Sequence, residues 1–85
     1  MPLQRWFLNN IHHPYIKKKE KDELCKETGL TRKQINGWLT NNRKRKYQKV
    51  VEAAKARNKD FSKWSLLILD FVRQKMQLIF DKDLD

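Results

Sequence analysis

Residues 38–46 read Trp-Leu-Thr-Asn-Asn-Arg-Lys-Arg-Lys, an amide-bearing stretch that runs directly into four consecutive cations. An asparagine amide holds one donor and one acceptor side by side, the pair that reads an adenine edge in the major groove. On a helix of about 3.6 residues per turn, Ile35, Trp38 and Leu39 share one side while Gly37, Thr40, Asn41 and Lys44 share another. The first side can anchor to a core and the second can enter a groove. This pattern points to double-stranded DNA. The basic run alone points less far, since such runs are also solvated surface or nuclear import signals. Trp38 and Asn41 beside it favour the groove, as Asn41 would otherwise be a solvated residue on an exposed face.

Other chemistry finds little support. Paired carboxylates, a nucleophile with a base, a glycine-rich phosphate loop and a cofactor motif are all missing, so the expectation is a non-enzyme without a cofactor. His12 and His13 are adjacent and lack clustered ligands, which makes them loop residues rather than a metal site. A single cysteine, Cys25, cannot form an internal disulfide or a cysteine-based zinc site, and reads as a small buried residue in a reducing compartment.

Charge is distributed unevenly. Residues 1–60 hold 16 basic and 6 acidic side chains, whereas residues 61–85 hold 4 and 4. The first part is built to meet a polyanion and the second is not. The longest apolar run, residues 66–69, is far shorter than the roughly 18 to 20 residues that cross a bilayer, and no signal-peptide pattern opens the chain. The expectation is a nuclear protein without a membrane segment. An 85-residue chain is one small domain that buries only about 60 to 65% of its unfolded surface, so support from a partner is plausible.

The elements that would position the Trp38–Asn41 stretch follow from periodicity and punctuation. A short helix over residues 3–11 ends at His12-His13-Pro14-Tyr15, because proline removes a donor and restricts the residue before it. A second helix over 18–28 stops at Gly29. Thr31 and Gln34 fit a capping box that starts a third helix, 32–57, after a very short turn. Residues 58–60 are the first plausible break. The expected core comprises Phe7, Leu24, Leu30, Ile35, Trp38 and Leu39. From Phe61 to Phe80 a fourth helix carries Trp64, Leu67, Ile68, Phe71, Val72, Met76 and Ile79 at helical spacing, with Leu66, Leu69, Leu78 and Phe80 widening the stripe. So apolar a helix must be buried in the fold or against another molecule. The fold class is therefore all-α: a three-helix helix-turn-helix with a long third helix, residues 1–58, and an additional amphipathic helix, residues 61–80.

Residues 3–46 resemble a homeodomain of the TALE class, which has a lengthened loop carrying a Pro-Tyr element between its first two helices. His13-Pro14-Tyr15 stands where that element belongs. Gly29-Leu30-Thr31, Ile35, Trp38-Leu39-Thr40-Asn41-Asn42-Arg43 and Lys44-Arg45-Lys46 follow the family pattern around its recognition helix. The resemblance implies that Asn41 hydrogen-bonds an adenine edge, that Thr40, Lys44 and Gly37 face bases, and that Lys44 or Arg45 reads guanine. It further implies phosphate contacts by Arg43, Lys46, Tyr15, Arg32 and Lys33.

Three departures from the family accompany the match. Met1 falls inside the expected first helix, so an N-terminally truncated homeodomain without its basic arm is expected. Leu39 replaces the usual Phe, and Gly37 puts no side chain at a base-facing position. Weak, poorly specific DNA binding by the isolated domain is the expectation, with the fourth helix filling the depleted core.

Two functions fit these features. One is a nuclear DNA-binding regulator whose fourth helix, through Trp64, Leu67, Ile68, Phe71, Val72 and Ile79, binds a protein partner or a second copy. The alternative is an accessory subunit of a larger DNA-modifying assembly, for example a DNA adenine methyltransferase complex, which adds DNA contact and a docking helix. An isolated chain is then expected to self-associate or to travel with a larger partner.

Overall fold

Gly29 adopts φ 75°, the left-handed conformation, and donates its N–H to the carbonyl of Cys25 at 2.9 Å, closing the second helix. A side chain here would meet nothing within 4 Å, so backbone conformation rather than space calls for glycine. Thr28 tightens the same turn: its hydroxyl donates to the Leu24 carbonyl at 2.6 Å and accepts from the Leu30 amide at 3.2 Å. Two residues later the capping box forms as its sequence predicts. The Thr31 hydroxyl accepts from the Gln34 amide at 3.1 Å, and the Gln34 side-chain oxygen accepts from the Thr31 amide at 2.9 Å.

The computed structural model describes residues 2–57 and 64–83, and every regular element among them is helical. They are α1 (Pro2–Asn9), α2 (Lys18–Thr28), α3 (Arg32–Asn42), a π-helical turn (Arg43–Tyr47), α4 (Gln48–Arg57) and α5 (Leu66–Asp83). The break expected at residues 58–60, and the start of the last helix at Phe61, lie outside the described residues. Ser65 caps α5, its hydroxyl accepting from the Ile68 amide at 3.3 Å.

Two boundaries differ from expectation. The first helix ends at Asn9 rather than residue 11, because the Asn10 amide is shared between the Trp6 and Phe7 carbonyls, and its side chain also donates to Trp6 at 2.8 Å. The third helix runs from Arg32 to Arg57 without leaving a helical path, but it is not one α-helix. At Arg43–Tyr47 the ladder widens, and the Gln48 N–H reaches back five residues to the Arg43 carbonyl. One extra residue in a turn rotates every later side chain about the axis. Beyond it Val50 and Ala54 are buried.

Phe7 is fully buried at the centre of the core, edge-to-face with Trp38, Tyr47 and Phe80 at centroid distances of 6.1, 5.6 and 5.8 Å. Leu3, Ile11, Leu24, Ile35 and Leu39 complete the buried side of the first three helices, with Trp38, Leu30 and Cys25 half-buried at its edge. α5 supplies the rest. Its buried stripe is Ile68, Val72, Met76 and Phe80, one residue every four, and the Phe80 ring also meets Trp38 at 5.8 Å.

This placement divides the residues expected on the partner face. Ile68 and Val72 face the chain's own core, Trp64, Phe71 and Ile79 are half-buried, and Leu67 is 83% exposed. Phe80, expected only to widen the stripe, is among the largest side chains in the core. α5 thus packs into the core beside Phe7 and Trp38. Arg73 adds a polar tie, donating from Nε to the Leu8 carbonyl at 3.3 Å.

Candidate nucleic-acid interface

The third helix presents two chemically distinct sides. Ile35 and Leu39 are buried, whereas Gly37, Asn41, Lys44 and Arg45 are exposed and Thr40 is half-buried. The adjacent asparagines separate cleanly. Asn41 faces solvent, while Asn42 is 7% exposed and donates from Nδ2 to the Trp38 carbonyl at 2.8 Å. Only the first has its amide available to a groove.

Behind this stripe the helix is tied to the loop that joins α1 to α2. Arg43 donates from Nη1 to the Pro14 carbonyl at 2.7 Å, and its guanidinium lies 4.4 Å from the centroid of the Tyr15 ring. A longer contact of 3.4 Å links Nη2 to the Thr40 hydroxyl. The Tyr47 hydroxyl donates to the Ile11 carbonyl at 2.6 Å, one helical turn further on. Both ends of the π-helical turn are therefore anchored to the same loop, which otherwise leaves those two carbonyls without helical partners.

Tyr47 has no counterpart among the residues singled out in the sequence. Its one signal is an aromatic hydroxyl four residues beyond Arg43. Burial pushes its phenol up to about 12, and the neighbouring Tyr15 adds to the shift.

The remaining candidates spread around this exposed stripe. Tyr15 is 57% exposed; besides Arg43, its ring also meets that of His13, whose centroid is 4.8 Å away. Arg32 and Lys33 are exposed at the start of α3, and Arg32 pairs with Asp22 at 2.6 Å. Such an exposed pair is worth little and can yield to a phosphate. Lys46 is half-buried beside Arg45. Trp6, half-buried in α1, donates from its indole to Glu20 at 3.0 Å, and Glu20 also accepts the Lys17 amide at 3.4 Å, so one carboxylate fixes α1 against the start of α2. Among the described residues no group of three or more histidine, cysteine or acidic side chains could hold a metal ion. No helix among them is long and apolar enough to cross a membrane.

α1 to α3 and the π-helical turn thus form a helix-turn-helix unit that displays a polar, cationic stripe on its third helix. Residues 6–45 match the Homeobox KN domain. Homeobox protein 4 of Dictyostelium discoideum is 42% identical over 52 residues, covering 61% of this chain and 7% of that protein. Homeobox protein unc-62 of Caenorhabditis briggsae is 43% identical over 50 residues, 59% of this chain and 7% of the relative. Homeobox protein Meis1 of Homo sapiens is 34% identical over 50 residues, 59% and 13% respectively. The chain spans only a small part of the length of these curated relatives. No solved structure matches it significantly.

Proposed function

We propose that this chain is the DNA-binding part of a nuclear, non-catalytic homeobox regulator, with α3 lying in the major groove of double-stranded DNA. The observation that carries this reading is the two-sided third helix, with Ile35 and Leu39 buried and Gly37, Asn41 and Lys44 exposed opposite them. In this account Asn41 reads an adenine edge, while Thr40, Lys44 and Arg45 contact neighbouring bases. Arg43, Lys46, Tyr15, Arg32 and Lys33 hold phosphates and set the register. Two of the five guanidinium N–H groups of Arg43 point to Pro14 and Thr40, which leaves others for a phosphate. Residues 1–58 form the DNA-binding unit, and residues 61–80 complete its core and offer a protein partner what remains exposed. The relatives are named as homeobox proteins, and none of those names speaks for an accessory subunit of a DNA-modifying complex.

Selection from a random pool of duplexes by the full chain tests this reading. Enrichment of sites with a shared adenine-containing core is expected. A pool that emerges without sequence preference contradicts base reading.

A further inference from the structure

Between the π-helical turn with α4 and the facing side of α5 lies a groove of about 350 Å³ whose lining is sharply divided. Val50, Ala53, Phe71 and Ile79 make an apolar floor. Arg45, Lys46, Lys49 and Lys75 stand around it, and among the described residues no acidic side chain lines it. Its geometry follows from register: Lys46, Lys49, Val50 and Ala53 recur at helical spacing on one wall, and Phe71, Lys75 and Ile79 recur every four residues on the other. The cations also gather over the floor. Arg57 lies 5.0 Å and Lys75 5.7 Å from the Phe71 ring centroid.

We infer that this groove docks an acidic amphipathic helix of a partner protein. Charge complementarity selects an acidic occupant. The apolar floor selects one that also carries bulky aliphatic or aromatic side chains at helical spacing, as in helix-in-groove recognition. Duplex DNA satisfies the cations but gives Phe71 and Ile79 nothing to bury against. Gly37, Thr40, Asn41 and Lys44 do not line the groove, so the base-reading stripe and the groove are distinct surfaces that meet at Arg45 and Lys46. The inference rests on reading α5 as the partner-binding element, and it gives that partner a chemistry.

Fluorescence anisotropy with the full chain tests it. The probe is a labelled helical peptide with leucines at i, i+3, i+4 and i+7 and glutamate elsewhere, and the control carries serine in place of each leucine at the same net charge. The leucine peptide should bind at least about tenfold more tightly than the serine control, and Lys49→Glu with Lys75→Glu should weaken it by about tenfold or more. Ala53→Trp, at an exposed site on the floor, should block the peptide while leaving the circular dichroism spectrum unchanged. Asn41→Ala should leave peptide affinity intact whatever it does to DNA, which separates failure of the groove from failure of base reading. Equal binding of both peptides, no binding of either, or a charge reversal that weakens duplex DNA and spares the peptide would each overturn the inference.

Discussion

Arg43, at the start of the π-helical turn, donates to the carbonyl of Pro14, 29 residues earlier, at 2.7 Å. The residue proposed above to hold a phosphate is therefore also the clasp between the end of α3 and the loop before α2. Arg43→Ala should remove charge and clasp together and cost about 1 to 2 kcal/mol of stability, read by urea unfolding. Arg43→Lys keeps the charge but loses the planar fork. It should retain most of the salt dependence of DNA binding while losing stability. Unchanged stability in both variants would leave the clasp without energetic meaning.

Tyr47 makes the second tie, through the Ile11 carbonyl. Its phenol is raised from 10.0 to about 12. The unfolded chain therefore releases the Tyr47 proton first, and the phenol's contribution is fully present below pH 10 and is lost as pH rises toward about 12. Tyr47→Phe should unfold more easily at neutral pH, by about 1 kcal/mol, and show a shallower loss of stability across that alkaline window. The difference between the two proteins isolates the phenol from the titrating lysines. Parallel curves would contradict this.

Gly29→Ala should destabilise the fold by about 1 kcal/mol, because its φ of 75° is costly for a side chain and nothing nearby can be blamed for a clash. Gly29→Asn should cost less. A loss far beyond this in thermal unfolding would imply a packing role that the open space around the residue does not support.

α5 divides into inner and outer positions, and substitutions should respect that division. Phe80→Ala should cost about 3 to 5 kcal/mol, since the ring is 1% exposed and touches Phe7 and Trp38. Leu67→Ser, at an 83% exposed site, should stay within about 0.5 kcal/mol. If Phe80→Ala unfolds no more easily than Leu67→Ser, α5 is not part of the core.

Local signals made much of this legible beforehand. Thr31 and Gln34, Gly29, and the apolar side of α3 each act within a few residues, so their types and spacing suffice to place the helix-turn-helix. What escaped depended on distant partners. Nothing near Tyr47 announces a carbonyl 36 residues away, and the π-helical turn that positions it leaves no mark in a run of cations. The α5 stripe is legible as a helix, but which of its residues turn inward is not: Phe80 packs against Phe7 and Trp38 while Leu67 faces solvent. Asn41 and Asn42, identical in type, were separated only by the helix register.

In the proposed function Asn41 reads a base while the cations around it hold the backbone. Affinities for a selected duplex and a random one should be measured across a salt series for Asn41→Ala and Lys33→Ala. Asn41→Ala should lose about 1 to 3 kcal/mol on the selected duplex alone, and Lys33→Ala should weaken both duplexes alike and reduce the salt slope by about one. Equal losses on both duplexes for Asn41→Ala would contradict base reading by this helix.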